Sequence, residues 1–174
     1  MDDKKFMLSR LLILCFMSTS VSAAVSEDGK FASLMVQVNL TKYERKSGLC
    51  HQQMRNFKLR EEDKIQLKAL PHEASDALGK LLDDALNSCA QPELFNLSKS
   101  ILVLEEQNKL DNSTAITSQI EGIRKLIFSK NIIAEERAYD NLPISLKEKL
   151  EKIEFLKKPF DLFEVIEQAW DAPQ

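Results

Sequence analysis

Between residues 74 and 89 apolar side chains recur at alternating spacings of three and one: Ala74, Ala77, Leu78, Leu81, Leu82, Ala85, Leu86 and Cys89. Such spacing puts them on one side of a helix, as a stripe two residues wide. A strand would throw the same residues alternately to opposite faces. The chain must therefore carry at least one long helix whose stripe is buried against other elements. Turn-forming residues extend the argument, because the whole chain holds only 4 glycines and 5 prolines. Sheets need tight turns, and turns need those residues. The expectation is an all-α fold: a compact bundle of six or seven helices with short connections. The same scarcity removes glycine-rich phosphate cradles.

Periodicity divides the rest of the chain. A helix over 28–46 is predicted, with Phe31, Leu34, Met35 and Val38 as its buried stripe. "ERKSG" should close it, with Gly48 as a left-handed cap. Shorter helices are expected over 49–58 and 61–69, and a long one over 72–90. Pro92 opens another, to about 109, along the seam Leu94, Leu97, Ile101, Leu104, broadened by Phe95 and Leu102. Asn112 or Ser113 should cap a helix running to about 138, with Ile116, Ile120, Ile123 and Ile127 inward. "SLKE" at 145–148 has the form of a capping box. "FDLFEVIEQAW" makes a short final helix.

The leading segment speaks to compartment. Lys4, Lys5 and Arg10 precede the apolar run "LLILCFM", and "STSVSA" follows with Val21 and Ala23 in peptidase-site positions. That is the layout of a secretory signal peptide covering residues 1–23, and its apolar core is too short to span a membrane. Residues 24–174 then form a single helical domain in the periplasm or outside the cell. The lysine-, isoleucine- and glutamate-rich composition leans bacterial.

Cys15 leaves with that segment, so two cysteines remain, Cys50 and Cys89. In an oxidising compartment a pair of thiols becomes a disulfide. The competing reading is a Cys50 thiolate activated by His51. Neighbours in a helix point about 100° apart and do not face each other, and no third group is placed to orient the base. The disulfide is the expected role.

No catalytic set converges elsewhere. His72 and Asp76 lie one turn apart, but a zinc site needs further ligands that the chain does not supply nearby. The paired acids at 83–84 and 105–106 diverge from one another on a helix and read as solvated faces. No metal and no cofactor is expected. A formal net charge of −3 with interspersed signs offers no basic stripe for nucleic acid. Sequons occur at Asn39, Asn96 and Asn112 and matter only in a eukaryotic host. The chain end carries apolar residues on both sides of its last helix, which makes Phe163, Ile166 and Trp170 candidate partner-binding residues. The function these features favour is an exported, non-enzymatic protein-binding module, such as an inhibitor, immunity factor or assembly chaperone of the bacterial envelope. A carrier of a small apolar ligand is the alternative, and a thiol- or histidine-dependent enzyme ranks below it.

Overall fold

The computed structural model describes residues 24–128 and 131–171. The signal-peptide expectation falls on residues outside that set. Among the described residues there are eight α-helices and no strand. They are α1 (Glu27–Arg55), α2 (Glu61–Lys68), α3 (Leu78–Cys89), α4 (Glu93–Asp111), α5 (Thr114–Ile127), α6 (Ile132–Asp140), α7 (Ile144–Glu151) and α8 (Leu162–Ile166). Short 3₁₀ turns at His72–Ala77 and Glu154–Lys157 precede α3 and follow α7, and a wide π-type turn at Glu167–Asp171 ends the described chain.

The helices gather around two apolar clusters. In the first, α1, α4 and α5 bury Ala32, Val36, Leu97, Ile101, Leu104 and Ile120. α1 and α4 run in opposite directions, since Ser26 at the start of one bonds to Asp111 at the end of the other. Asn112 then takes a left-handed conformation at φ 48°, and the Ser113 hydroxyl accepts from the Ile116 amide to start α5. Of the two capping candidates, each thus has its own part: Asn112 ends α4, and Ser113 begins α5.

The second cluster lies under α2, α3, α7 and the C-terminal segment. Phe160 is fully buried at its centre, with ring centroids 5.9 Å from Phe155 and 6.4 Å from Phe57. Leu67, Leu78, Leu150 and Val165 close over it without residual exposure. Glu164 ties the ends of this region together, accepting from the Leu59 amide at 2.9 Å and pairing with Lys58 at 3.2 Å. Cys50, near the end of α1, and Cys89, the last residue of α3, stand at disulfide distance with Cα atoms 6.0 Å apart. The bridge joins the helix that founds the first cluster to a helix of the second.

Four sequence expectations are corrected here. α1 continues through Gly48 to Arg55, so the two helices expected over 28–46 and 49–58 are one. A helical glycine costs only about 1 kcal/mol relative to alanine, and the last turns are held by the buried, bridged Cys50. The segment 72–90 begins as a 3₁₀ turn and becomes α-helical only at Leu78. The helix after Ser113 stops at Ile127, and a separate α6 begins at Ile132. Ser145 makes no cap, because α7 already starts behind Pro143, whose carbonyl accepts from Leu146 at 2.9 Å.

Candidate protein-docking face

The largest departure from the sequence reading concerns which side of α1 is buried. The inward face is made of small residues, Gly29, Ala32 and Val36, continued by the half-buried Leu40 and Tyr43. Small side chains let the α1 backbone approach α4 closely. Where they come nearest, a Cβ at Gly29 would overlap the Asp111 carboxylate. That carboxylate is buried and fully engaged. Oδ2 accepts from the Ser26 hydroxyl at 3.0 Å, Oδ1 accepts from Gln107 Nε2 at 3.2 Å, and the Ser26 oxygen in turn accepts from the Gly29 amide at 3.0 Å. Interlocked donors and acceptors of this kind fix the register of the two helices.

With that face inward, Phe31, Leu34, Met35 and Val38 turn outward. Phe31 is 64% exposed. On α4 the same happens: Leu97, Ile101 and Leu104 fill the core, while Leu102, Val103 and Leu110 look out, the last 81% exposed. Between the helices runs an open groove of about 750 Å³, walled by Phe31, Met35, Leu102, Val103 and Leu110. Its rim is charged: Asp28 on α1, and Lys99, Glu106 and Lys109 on α4, with Glu106 and Lys109 paired at 2.5 Å. A contiguous apolar strip with a polar border is the usual signature of a contact surface. The expectation that Phe31, Leu34, Met35 and Val38 are buried fails because the bulkier of two stripes on α1 is the one left outside. The second stripe, Gly29–Ala32–Val36–Leu40–Tyr43, has a helical periodicity of its own, so α1 carries two apolar stripes, one buried and one exposed.

The C-terminal candidates are separated by the fold. α8 is capped by Asp161, whose Oδ1 accepts from the Phe163 and Glu164 amides at 3.0 and 3.1 Å. Val165 and Ala169 dock into the second cluster, Ile166 packs against its edge, and Trp170 is half-buried with its indole N–H donating to the Leu70 carbonyl at 3.4 Å. Phe163 alone of the three stands clear, 76% exposed.

The residues weighed for chemistry are occupied locally. Cys50 is buried and bridged. His51 donates from Nδ1 to the Ser47 carbonyl at 2.9 Å, and Ser47 Oγ lies 3.3 Å from that same nitrogen. Both contacts are made by Nδ1. His72 meets the edge of Trp170 at 6.4 Å. Among the described residues no three His, Cys, Asp or Glu side chains gather where they could hold a metal ion. Of the acid pairs, Asp84 pairs with Lys80 at 2.6 Å, Glu105 with Arg124, and Glu106 with Lys109. Asp83 differs from the solvated role expected of it. Partial burial pushes its carboxyl above the ordinary aspartate range, Asp84 and Glu136 add to the rise, and the Asn87 amide and Lys80 pull against it. Lys80 is itself raised: burial works against its charge, and the bonds to Asp84 and Glu136 outweigh it.

Of the sequons, Asn39 lies half-buried within α1, Asn96 is exposed within α4, and Asn112 is the left-handed residue after α4. Among the described residues no helix is long and apolar enough to cross a membrane. No protein-family model, no curated protein and no solved structure matches the chain.

Proposed function

We propose that this chain is an exported, non-enzymatic protein-binding module and that its binding face is the apolar strip along α1 and α4. The strip carries the reading: seven large apolar side chains on two adjacent helices remain in water although the fold has buried the small ones beside them. Three packed helices with an open side form a bundle lacking its next layer, and a helix from a partner completes it. The Cys50–Cys89 pair supports the exported compartment, since such bonds persist where the surroundings are oxidising. An inhibitor, an immunity factor or an assembly chaperone each needs a preformed face of this kind on a braced scaffold.

A photoreactive residue placed at Leu102, with a control at the still more exposed Ile144 on α7, tests this in the producing cell. A discrete protein adduct at Leu102 and none at Ile144 is expected. Absence of any protein adduct at Leu102 overturns the reading. The groove's volume also lies within the range of small-ligand sites, though its openness would cover a ligand on one side only. A small apolar molecule that co-purifies in native mass spectrometry, and is lost in Leu102→Asp, would make the chain a carrier instead.

A further inference from the structure

Resting on the reading of the α1/α4 strip as a protein-binding face, we infer that its occupant is a second copy of this chain, with α1 pairing antiparallel to α1 of the other copy. The argument is the symmetry of the outward stripe. Phe31, Leu34, Met35 and Val38 are spaced three, one, three, which reads the same in both directions. Laid antiparallel about the point between Leu34 and Met35, Phe31 of one copy meets Val38 of the other and Leu34 meets Met35. All four are exposed in the single chain.

The charges flanking the stripe obey the same symmetry. Four residues before Phe31 stands Glu27, and four after Val38 stands Lys42. The antiparallel register sets Glu27 of each copy against Lys42 of the other, closing both ends with opposite charges. A parallel arrangement would instead place Glu27 beside Glu27 and Lys42 beside Lys42. Within one helix the two residues are about 22 Å apart and cannot meet. Glu27 already holds Lys30 at 2.6 Å, an exposed pair that leaves a carboxylate oxygen for Lys42.

The groove completes the fit. Antiparallel helices pack ridge into groove at a shallow angle, and the ridge Phe31–Met35 of one copy is directed to the trough between α1 and α4 of the other. The two α1–α4 pairs then form a four-helix core. The contact is isologous, so it closes at two copies and builds no filament. Seven apolar side chains per copy approach the scale of a standard interface, about 800 Å² per partner.

Sedimentation of the purified protein, with charge swaps, tests register and occupant together. The wild type is expected to be dimeric at micromolar concentration. Glu27→Lys and Lys42→Glu should each weaken the dimer roughly threefold to tenfold, because each mismatch occurs twice by symmetry. Combined, Glu27→Lys with Lys42→Glu should restore it, a rescue that only the antiparallel register produces. Leu34→Asp should give a monomer with an unchanged helical spectrum and the melting temperature that the wild type shows when diluted to its own monomer. A wild type that stays monomeric, a dimer indifferent to Leu34→Asp, or charge variants without mutual rescue would each overturn the inference. The photocrosslink at Leu102 keeps the two claims apart. An adduct of the mass of a different protein retains the binding face and removes the second copy as its occupant, and no adduct removes both.

Discussion

The α1–α4–α5 region and the region around Phe160 solve the same problem in opposite ways. The first uses long helices, 29 residues in α1 and 19 in α4, which meet along one line and leave their far sides in water. The second uses short helices and turns that arrive from several directions, so that Phe160, Leu67, Leu78, Leu150 and Val165 are sealed on all sides. Long straight elements bury a stripe each. Short, angled elements can wrap a point. The contrast suggests a division of labour, in which the wrapped region supplies a rigid base and the open region presents surface. The Cys50–Cys89 connection sits where the two meet.

Two truncations of one residue type measure that contrast. Phe160→Ala removes a ring from the sealed cluster and should cost about 3–5 kcal/mol of folding stability in urea titration. Phe31→Ala removes the same group from the open face and should cost under about 0.5 kcal/mol in the dilute monomer. Comparable losses from the two would break the distinction. Replacing both bridging cysteines, Cys50→Ala with Cys89→Ala, releases a loop with a sequence separation of 39 residues. The chain-entropy account gives that a cost on the order of 4 kcal/mol. The sharper expectation is the shape of the melt: one transition with the bridge, and two resolved transitions without it, as each region unfolds at its own temperature. A single transition of unchanged width in the bridgeless variant would mean that the two clusters are coupled by packing alone.

What the sequence made legible follows from the same difference. The stripe from Ala74 to Cys89 is unambiguous because large and small apolar residues share one side. Ala74, Ala77, Leu78 and Ala85 are buried there, although the first turns are wound as 3₁₀ helix. The pairing of Cys50 with Cys89 was legible by elimination once an exported chain was assumed. On α1, periodicity gives two stripes, and size misleads. Bulk favours Phe31 and Leu34 for the core, yet close packing against α4 favours Gly29 and Ala32. The deciding fact is the distant Asp111, which no local window contains. Gly48 and Ser145 failed for a related reason. Each carries a local signal, for a stop and for a start, that tertiary contacts and a neighbouring proline override. Phe163, Ile166 and Trp170 belong to a segment with two apolar sides, and the fold docks one side through Val165 and Ala169.

The close approach at the open end has its own test. Gly29→Ala puts a methyl group into the space of the Asp111 carboxylate and beside the Val25 side chain. Overpacking of this order costs about 1–3 kcal/mol. The loss should be concentrated in the first region: amide exchange should speed up along α1 and α4 while the amides around Phe160 keep their protection. Gly48→Ala is the matched control. Nothing lies within 4 Å of a Cβ there, and alanine is the better helix former, so that variant should be slightly stabilised, by up to about 1 kcal/mol. Uniform loss of protection in Gly29→Ala would show that the register clamp holds the whole molecule and not one side of it.

The smallest effect expected is a gain, on the side of α3 that shares a cleft with Tyr43, Ser47 and His51 of α1. Asp83 has its carboxyl raised by partial burial and by Asp84 and Glu136, so the fold favours the protonated acid more than the unfolded chain does. For a group raised in this way the stabilising contribution is complete below the unfolded value, 3.8, and is lost as the pH climbs through the raised folded value. At neutral pH the charged Asp83 is therefore a burden. Asp83→Asn cannot ionise, and its amide oxygen can still accept from Asn87, which now donates to Asp83 at 2.9 Å. Much of the carboxylate's penalty is screened by water, so the gain should be modest, on the order of 1 °C in Tm at pH 7. It should shrink to nothing as the pH falls below 3.8. Asp84→Asn, one residue on, should move the other way at neutral pH, because it breaks the 2.6 Å pair with Lys80. Equal responses from the two positions would show that α3 presents a uniformly solvated acidic face, and that the partial burial of Asp83 beside Tyr43, Ser47 and His51 of α1 contributes nothing.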